Sequence, residues 1–274
     1  MLYEQDGRSL AGDDDADASG FAKLGLAPGL CRALSGLGYE EPTPIQRAAV
    51  PPLIAGRDLV GQAATGTGKT AAFALPVLQR ISGRSGQAGV LALILVPTRE
   101  LAIQVSAAMH SYGRDLSVRV LPVYGGQPIG RQLRALGRGV DVVVATPGRA
   151  LDHITRGTLD LSGLEIVVLD EADEMFDMGF AEDIELILGE TPQNRQAALF
   201  SATMPPRIDG MVRRYLSDPV RVELGRKASA SPEGLLVRQT AYMTPRGHKP
   251  AALTRVLDME TPSAAIPLSH GNAG

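Results

Sequence analysis

Residues 63–70 read Ala-Ala-Thr-Gly-Thr-Gly-Lys-Thr, and they stand between an apolar run at 58–61 and a helical stretch at 69–81. A strand, a glycine-rich loop and a helix, in that order, direct backbone N–H groups and a helix N-terminus at one anionic pocket. The strict pattern for this loop has glycine at the position of Ala63, but its lysine and threonine stand at the required offset. A turn before an ordinary helix does not account for that offset. The segment therefore predicts a phosphate-binding loop.

Six residues of this loop are expected to bind a nucleotide and its metal ion. Gly66 and Gly68 let the backbone approach the phosphates closely, and the Lys69 ammonium is expected to reach the β- and γ-phosphate oxygens. The Thr70 hydroxyl is expected to coordinate Mg²⁺. The predicted nucleotide ligands in the loop are Thr65, Gly66, Thr67, Gly68, Lys69 and Thr70.

A second motif, Glu-Ile-Val-Val-Leu-Asp-Glu-Ala-Asp at 165–173, places two carboxylates directly after a buried strand. We expect Asp170 to hold Mg²⁺ through its waters and Glu171 to orient the attacking water. The alternative is that Asp170 only caps a helix. Capping alone does not explain paired carboxylates in a chain that also has a phosphate loop. The two motifs together predict hydrolysis of a nucleoside triphosphate, with Lys69, Asp170 and Glu171 as catalytic residues and Thr70 and Asp170 as metal ligands.

Strand-like and helical stretches alternate from about residue 57 onward. The predicted strands are 58–61, 90–96, 118–123, 140–145, 165–169, 197–200 and 220–222, and the predicted helices are 69–81, 99–112, 129–136, 149–156, 181–188, 206–215 and 249–259. Most of the strands are continuous Val/Ile/Leu runs, which is typical of strands that are buried on both faces. The pattern predicts an α/β fold, a mainly parallel sheet with helices on both faces, whose ligands bind at the carboxyl ends of the strands.

Composition excludes several classes of protein. The chain has 274 residues, of which 44% are hydrophobic, and no apolar run approaches the ~18–20 residues of a membrane span. Its single cysteine and four histidines argue against a disulfide framework or a zinc site. Residues 1–20 hold six acids and one base, so this leader is expected to be disordered, while the remainder is close to neutral. The composition predicts a cytoplasmic protein with no membrane partner.

Asp170-Glu171-Ala172-Asp173 spells the name of a family that the chain resembles, the DEAD-box ATP-dependent RNA helicases. Residues 38–46, Gly-Tyr-Glu-Glu-Pro-Thr-Pro-Ile-Gln, resemble its Q motif, and the resemblance implies that Gln46 reads the adenine of ATP. Phe21 matches the upstream aromatic residue that packs against the base, and the alternative is that it only anchors the hydrophobic core. Alanine at position 63 is usual in this family. The resemblance covers about residues 21–223 and implies a RecA-like domain with ATP and Mg²⁺ as cofactors.

Three further motifs resemble those that face RNA in the family, and a fourth resembles the element that couples hydrolysis to strand separation. The predicted RNA-binding residues are Pro97, Thr98, Arg99, Gly125, Gly126, Thr146, Pro147, Gly148 and Arg149. Singly, each motif is a capped helix or a tight turn, but as a set on one rim they favour RNA binding without sequence choice. In the family, the residues that match Ser201 and Thr203 hydrogen-bond towards the aspartate that matches Asp173, and the resemblance implies the same contact here. The alternative is that Ser201 and Thr203 only cap the following helix.

Family members carry two RecA-like domains, and the second contributes arginines that contact the γ-phosphate. Here we expect 1–20 to be a leader, 21–223 the ATP-binding domain, 224–248 a linker and 249–274 the truncated start of a second domain. Such a chain is expected to bind ATP and RNA, to hydrolyse slowly and to fail at unwinding. The alternative is a nucleotide- or RNA-binding module that needs no catalysis. Apolar residues Leu253, Val256 and Leu257 are expected to stay exposed and to promote self-association.

Overall fold

A computed structural model describes residues 20–84, 89–224, 240 and 242–261, which fall into two compact units, 1–228 and 229–274. The first unit contains a seven-stranded sheet whose neighbouring strands all pair in parallel. Its strands are β1 (Leu59–Gln62), β2 (Ala92–Leu95), β3 (Val120–Val123), β4 (Val142–Ala145), β5 (Ile166–Leu169), β6 (Gln196–Ser201) and β7 (Val220–Glu223). They lie in the order β3-β4-β2-β5-β6-β1-β7. The predicted parallel α/β fold is confirmed.

Nine α-helices accompany the strands in the described part of the first unit, and a tenth lies in the second. They are α1 (Pro28–Gly36), α2 (Pro44–Ile54), α3 (Lys69–Ser82), α4 (Arg99–Tyr112), α5 (Ile129–Gly137), α6 (Pro147–Thr155), α7 (Ala172–Asp177), α8 (Ala181–Gly189), α9 (Pro206–Tyr215) and α10 (Lys249–Glu260). Short 3-10 helices precede α1, at Ala22–Leu24, and α10, at Arg246–His248. Every helix predicted in the first unit is found there within three residues at each end.

The apolar strands are buried on both faces because successive side chains point to opposite sides of a sheet. In β5, Ile166 and Val168 belong to one core cluster, which contains α1 to α4 side chains, whereas Val167 and Leu169 belong to another. The second cluster includes apolar side chains of α6 to α9. Continuous Val/Ile/Leu runs therefore bury both alternating sets of residues, as the sequence predicts.

The strand order sorts the sequence motifs along the carboxyl edge of the sheet. The predicted RNA motifs follow β2, β3 and β4, which are neighbours in one half of the sheet. The phosphate loop follows β1, the acidic motif follows β5, and Ser201 ends β6, all in the other half. Because parallel strands end at the same edge, motifs that lie far apart in the sequence come together there as two neighbouring groups.

The described part of the second unit is short. It includes α10, on which Leu253 and Leu257 are exposed and Val256 is partly buried. The predicted linker lies mostly outside the described residues, as do residues 1–19 of the leader and 262–274 of the C-terminal segment. The proposed division into domains therefore stays a prediction. Among the helices that the structure describes, none has the length and hydrophobicity that a membrane crossing requires.

Candidate active site

The phosphate loop connects β1 to α3 through two glycines in the left-handed region. Gly66 has φ +76° and Gly68 has φ +95°, a conformation that side chains other than glycine rarely adopt. A Cβ at Gly68 would lie 2.5 Å from Nε2 of Gln46, so this position also lacks room for a side chain. Gly68 caps α3, whose first two residues are Lys69 and Thr70. The loop thus aims a helix N-terminus at the cavity where the phosphates are expected.

Lys69 is buried and paired. Its Nζ donates to Oε2 of Glu171 at 2.9 Å and to the carbonyl oxygen of Ala63 at 3.1 Å. The Lys69 and Glu171 side chains are 5% and 12% exposed. A buried ammonium requires such partners because its isolated charge is costly to desolvate. The lysine predicted to bind phosphate is therefore ion-paired with a carboxylate of the same chain.

Asp170 is buried at the end of β5, beside this pair. Burial and, to a smaller extent, the neighbouring Glu171 carboxylate together raise the pKa of Asp170 to about 7, against the opposing effect of the Lys69 ammonium. The Asp170 Oδ1 accepts a hydrogen bond from the Glu171 backbone N–H at 3.1 Å. Glu171 adopts φ +52°, which is uncommon for a residue other than glycine and is typical of strained functional sites.

The donor set fits Mg²⁺. Asp170 and Thr70 line one cavity, and they offer the carboxylate and hydroxyl oxygens that a hard divalent cation prefers. The raised pKa of Asp170 reflects a carboxylate whose charge is poorly compensated, and a divalent cation would compensate it. In the described residues no group of three or more His, Cys, Asp or Glu side chains could hold a metal alone. Mg²⁺ in nucleotide sites is usually bound by one or two carboxylates together with the substrate phosphates.

A cavity of about 690 Å³ joins the phosphate loop to the Q motif and to one face of α4. Its lining includes five of the six predicted loop ligands together with Gln46, Asp170 and Glu171, whereas Thr67 lines a separate cavity of about 500 Å³. On α4, Gln104, Ala108 and Tyr112 face the larger cavity. These three residues of α4 were not predicted from the sequence as part of the site, although their spacing of four residues places them on one face of the helix.

Gln46 is buried, and its amide bonds to backbone. Its Nε2 donates to the carbonyl oxygen of Gly68 at 3.1 Å, and its Oε1 accepts from the Thr43 N–H at 2.9 Å. The Q motif is thereby attached directly to the phosphate loop. Reading of adenine by Gln46 stays a prediction, since both ends of its amide already have backbone partners.

Phe21 lies in the hydrophobic core rather than on the cavity wall. It is 1% exposed and packs edge-to-face on Tyr39, with ring centroids 6.3 Å apart. Tyr39 does line the cavity, and its hydroxyl lies 2.9 Å from that of Tyr112. Phe21 thus supports an aromatic residue of the cavity, and its own contact with a base stays a prediction.

Asp173, Ser201 and Thr203 form one hydrogen-bonded group. Asp173 Oδ2 accepts from both the backbone N–H and the hydroxyl of Thr203 at 2.8 Å, and Ser201 Oγ accepts from the Asp173 N–H at 3.2 Å. Although partial burial acts to raise the pKa of Asp173, these hydrogen bonds hold it below its ordinary value. The predicted contact between β6 and the acidic motif is present, and its role in coupling stays a prediction.

The predicted RNA residues lie at the ends of β2, β3 and β4. Thr98 caps α4 by accepting from the Leu101 N–H at 3.2 Å, and the exposed Arg99 lies over the Tyr124 ring at 5.6 Å. Thr146 caps α6. Gly125, Gly126 and Gly148 are exposed, whereas Pro97 and Pro147 are buried. The prolines therefore shape their loops, and the exposed residues offer the surface for the predicted contacts.

A profile of the DEAD/DEAH box helicase family matches residues 43–210. The chain belongs to this family. The match spans the phosphate loop, the acidic motif and the Asp173, Ser201 and Thr203 group, and the family predicted from the sequence is confirmed.

The chain is also similar to several curated RNA helicases. It is 51% identical over 252 residues to the "ATP-dependent RNA helicase DeaD" of Mycobacterium tuberculosis, over 92% of this chain and 44% of that protein. It is 49% identical to the "RNA helicase CrhR" of Synechocystis, over 90% of this chain and 49% of that protein. The chain thus spans about half the length of the curated relatives that it matches.

Two solved structures have a similar fold. A DEAD box protein from Methanococcus jannaschii superposes with a TM-score of 0.73 at 37% identity, over 87% of this chain and 63% of that one. A hypothetical ATP-dependent RNA helicase from Sulfolobus tokodaii gives 0.65 at 39% identity, over 71% of this chain and 56% of that one. The family's RecA-like fold is the fold of this DEAD-box chain.

Proposed function

We propose that this DEAD-box chain is the ATP-binding lobe of an ATP-dependent RNA helicase, which binds ATP with Mg²⁺ and holds RNA by its backbone. The observation that carries this proposal is the cluster of Lys69, Asp170 and Glu171 around one cavity at the carboxyl edge of the sheet. A lysine, a buried carboxylate and a water-orienting acid are the parts that hydrolysis of a triphosphate requires.

Each residue of the cluster has a task in that reaction. The backbone N–H groups at the start of α3 and the Lys69 ammonium bind phosphate oxygens, and Asp170 and Thr70 hold the metal ion. Mg²⁺, when bound, neutralises charge on the phosphates. Glu171 orients water for attack on the γ-phosphorus. Because Glu171 is bonded to Lys69 beforehand, binding of the phosphates releases Glu171 for this task.

The RNA surface is proposed to recognise the sugar–phosphate backbone. Its candidate contacts are backbone groups at helix N-termini, threonine hydroxyls at Thr98 and Thr146, and the guanidinium of Arg99. These groups recognise phosphate and sugar but carry little information about bases. Binding is therefore expected to be independent of sequence and to weaken with added salt.

We propose that this lobe binds RNA but does not unwind it. Unwinding requires two lobes to close around the strand, and arginines of a second lobe accelerate hydrolysis by about 10³–10⁵. The competing function is a binding module without catalysis. Retention of Lys69, Asp170 and Glu171 in bonding contact favours the enzyme, since a pure binder does not need a water-orienting acid.

ATP turnover by this chain, measured with and without RNA, tests the proposal. We expect slow, Mg²⁺-dependent phosphate release that an Asp170→Asn variant abolishes, and no separation of a labelled duplex. Failure of isothermal calorimetry to detect any binding of ATP or of a non-cleavable analogue would exclude the proposal. Analogue binding together with turnover no faster than that of Asp170→Asn would favour the module.

We also propose a cytoplasmic location and self-association through α10. The relatives named above are bacterial RNA helicases, and bacterial RNA is in the cytoplasm. Exposed Leu253 and Leu257 provide an apolar patch that a second copy can cover. Light scattering is expected to give a mass above that of a monomer, and Leu253→Ser with Leu257→Ser is expected to lower it. A monomer at high concentration contradicts the patch as an interface.

A further inference from the structure

A buried glutamine joins two of the loops at the predicted RNA surface. Gln132 lies on α5, is 2% exposed, and donates from Nε2 to the carbonyl oxygen of Tyr124 at 3.0 Å. Its Oε1 accepts from Nη1 of Arg149 at 3.2 Å. Tyr124 stands directly before the exposed Gly125 and Gly126, and Arg149 lies in the first turn of α6. One side chain therefore connects the loop after β3 to the helix after β4.

The orientation of this amide follows from its partners. A guanidinium can only donate and a carbonyl can only accept, so the Gln132 oxygen must face Arg149 and its nitrogen must face Tyr124. The same oxygen lies 2.9 Å from Nε2 of His153, which must therefore carry the proton. Burial lowers the pKa of His153, and the nearby Arg149 charge lowers it further, so both favour the neutral imidazole. Every polar atom of the amide is engaged.

Arg149 depends on this arrangement for its position. Its side chain is 16% exposed, and Nη1 also lies 3.4 Å from the carbonyl oxygen of Gln127. Its Nε lies 3.9 Å from Oδ2 of Asp152, which is too long for a firm ion pair. Gln132 and the Gln127 carbonyl thus hold the guanidinium beside the glycine loop.

We propose that Gln132 is a positioning residue for RNA binding, which sets the separation between the Gly125-Gly126 loop and Arg149. This inference rests on the proposed function, because it assumes that both loops contact one RNA strand. Gln132 is buried and touches no RNA itself. Its effect is to preorganise two contacts, so that less ordering is required when the strand binds.

Binding of a fluorescein-labelled uridine decamer, measured by anisotropy at several salt concentrations, tests the inference. Gln132→Met keeps the volume and removes all three hydrogen bonds, and we expect it to weaken RNA binding by about 5- to 10-fold. The slope of log affinity against log salt should fall by roughly 0.7, equivalent to one lost phosphate contact. Affinity for a non-cleavable ATP analogue should change by less than about twofold.

Gln196→Met is a matched control for loss of a buried glutamine. Gln196 is also buried and bonds to Leu53, Arg57 and Arg80. It is the first residue of β6, so it lies at the amino end of the strands, away from the carboxyl edge where the predicted RNA residues lie. We expect its variant to lose stability while RNA affinity and the salt slope stay unchanged. An equal loss of RNA affinity in both variants would show that Gln132 has only a structural role.

A double-mutant cycle shows whether Gln132 affects RNA affinity through Arg149. In an Arg149→Met background, Gln132→Met should cause little further loss of RNA affinity, since its main contact is already gone. Additive losses would overturn the positioning role. If Gln132→Met does not fold, Gln132→Asn retains the amide but is too short to reach both loops, and the same loss is expected.

Different results would refute the proposed function and the positioning role of Gln132. A wild-type chain that binds no uridine decamer even at low salt refutes the proposed function and this inference with it. A wild-type chain that binds RNA, with Gln132→Met and Gln132→Asn at wild-type affinity, refutes the inference alone.

Discussion

The Lys69 ammonium lies 2.9 Å from the Glu171 carboxylate, so the lysine proposed to bind phosphate and the acid proposed to orient water form an ion pair with each other. Both side chains are largely buried, and the pair crosses from the start of α3 to the end of β5. Under the proposed function, we expect a nucleotide to replace Glu171 as the partner of Lys69. This exchange would free the Glu171 carboxylate when the substrate binds, and it predicts different effects for mutation of the two residues.

Lys69→Ala should abolish detectable ATP binding. The variant removes the ammonium that meets the β- and γ-phosphates and leaves the Glu171 charge uncompensated in a buried place. Isothermal calorimetry with a non-cleavable ATP analogue measures the effect. Lys23→Ala is the control, because Lys23 is exposed and lies outside the cavity. Unchanged affinity in Lys69→Ala would show that the phosphate site lies elsewhere.

Glu171→Gln should retain ATP binding and lose hydrolysis. The amide cannot act as a charged acceptor for water, and it also competes less strongly than a carboxylate for Lys69. Affinity for the ATP analogue is expected to be equal to or up to about tenfold above wild type, because the internal anion is gone. Phosphate release measures turnover, and a variant that hydrolyses at the wild-type rate excludes the assigned role.

Gly68→Ala and Gly66→Ala separate backbone strain from steric conflict in the phosphate loop. Both positions have positive φ, so each alanine should cost about 1–2 kcal/mol. Only at Gly68 does the new Cβ meet a neighbour, Nε2 of Gln46 at 2.5 Å, whereas Gly66 has open space. Urea unfolding should show a loss about 1–3 kcal/mol greater for Gly68→Ala. Equal losses would mean that Gln46 moves away without cost.

The sequence was sufficient to predict the parallel sheet and to place the candidate nucleotide residues at its carboxyl edge, because both depend on local signals. Apart from the Q motif, the chemical motifs directly follow strands, and the carboxyl ends of parallel strands lie at one edge of the sheet whatever the order of the strands. Helices α4 and α9 match their predicted bounds because each begins at a strong N-terminal signal, Thr98 as a cap and Pro206 at the first position.

Other features required three-dimensional information. The strand order was not predictable because buried Val/Ile/Leu runs carry no label for their neighbours. The predicted helices omitted α2, which contains Pro51 and Pro52, residues that ordinarily end a helix. The bonds of Gln132 and the placement of Phe21 in the core depend on packing between elements that lie far apart in the sequence.

His153 should make the stability of the fold depend on pH. Burial lowers its pKa below the ordinary value, so between the two values the unfolded chain binds a proton that the folded chain does not. Its contribution is complete above the unfolded pKa of about 6.5 and is lost as the pH falls through the folded pKa. Arg149 and Arg156 lower that pKa further, while Asp152 opposes them.

Urea unfolding of wild type and His153→Gln between pH 7.5 and pH 5 measures this contribution. We expect the unfolding free energy of wild type to fall more steeply with decreasing pH, by up to about 1.4 kcal/mol per pH unit. All other titrating groups are common to both proteins, so the difference in slope reports His153. Parallel curves would contradict a lowered pKa.

Gln46 should affect phosphate binding as well as adenine recognition. Its amide bonds to the Gly68 carbonyl at 3.1 Å and to the Thr43 N–H at 2.9 Å, and thereby attaches the Q motif to the phosphate loop. Gln46→Ala removes this attachment, so the loop loses part of its preorganisation. We expect affinity for tripolyphosphate, a ligand without a base, to fall by about 3- to 10-fold in calorimetry, and affinity for ATP to fall further. A residue that only reads adenine would leave tripolyphosphate affinity unchanged while lowering that for ATP, which would contradict the role of Gln46 in holding the loop.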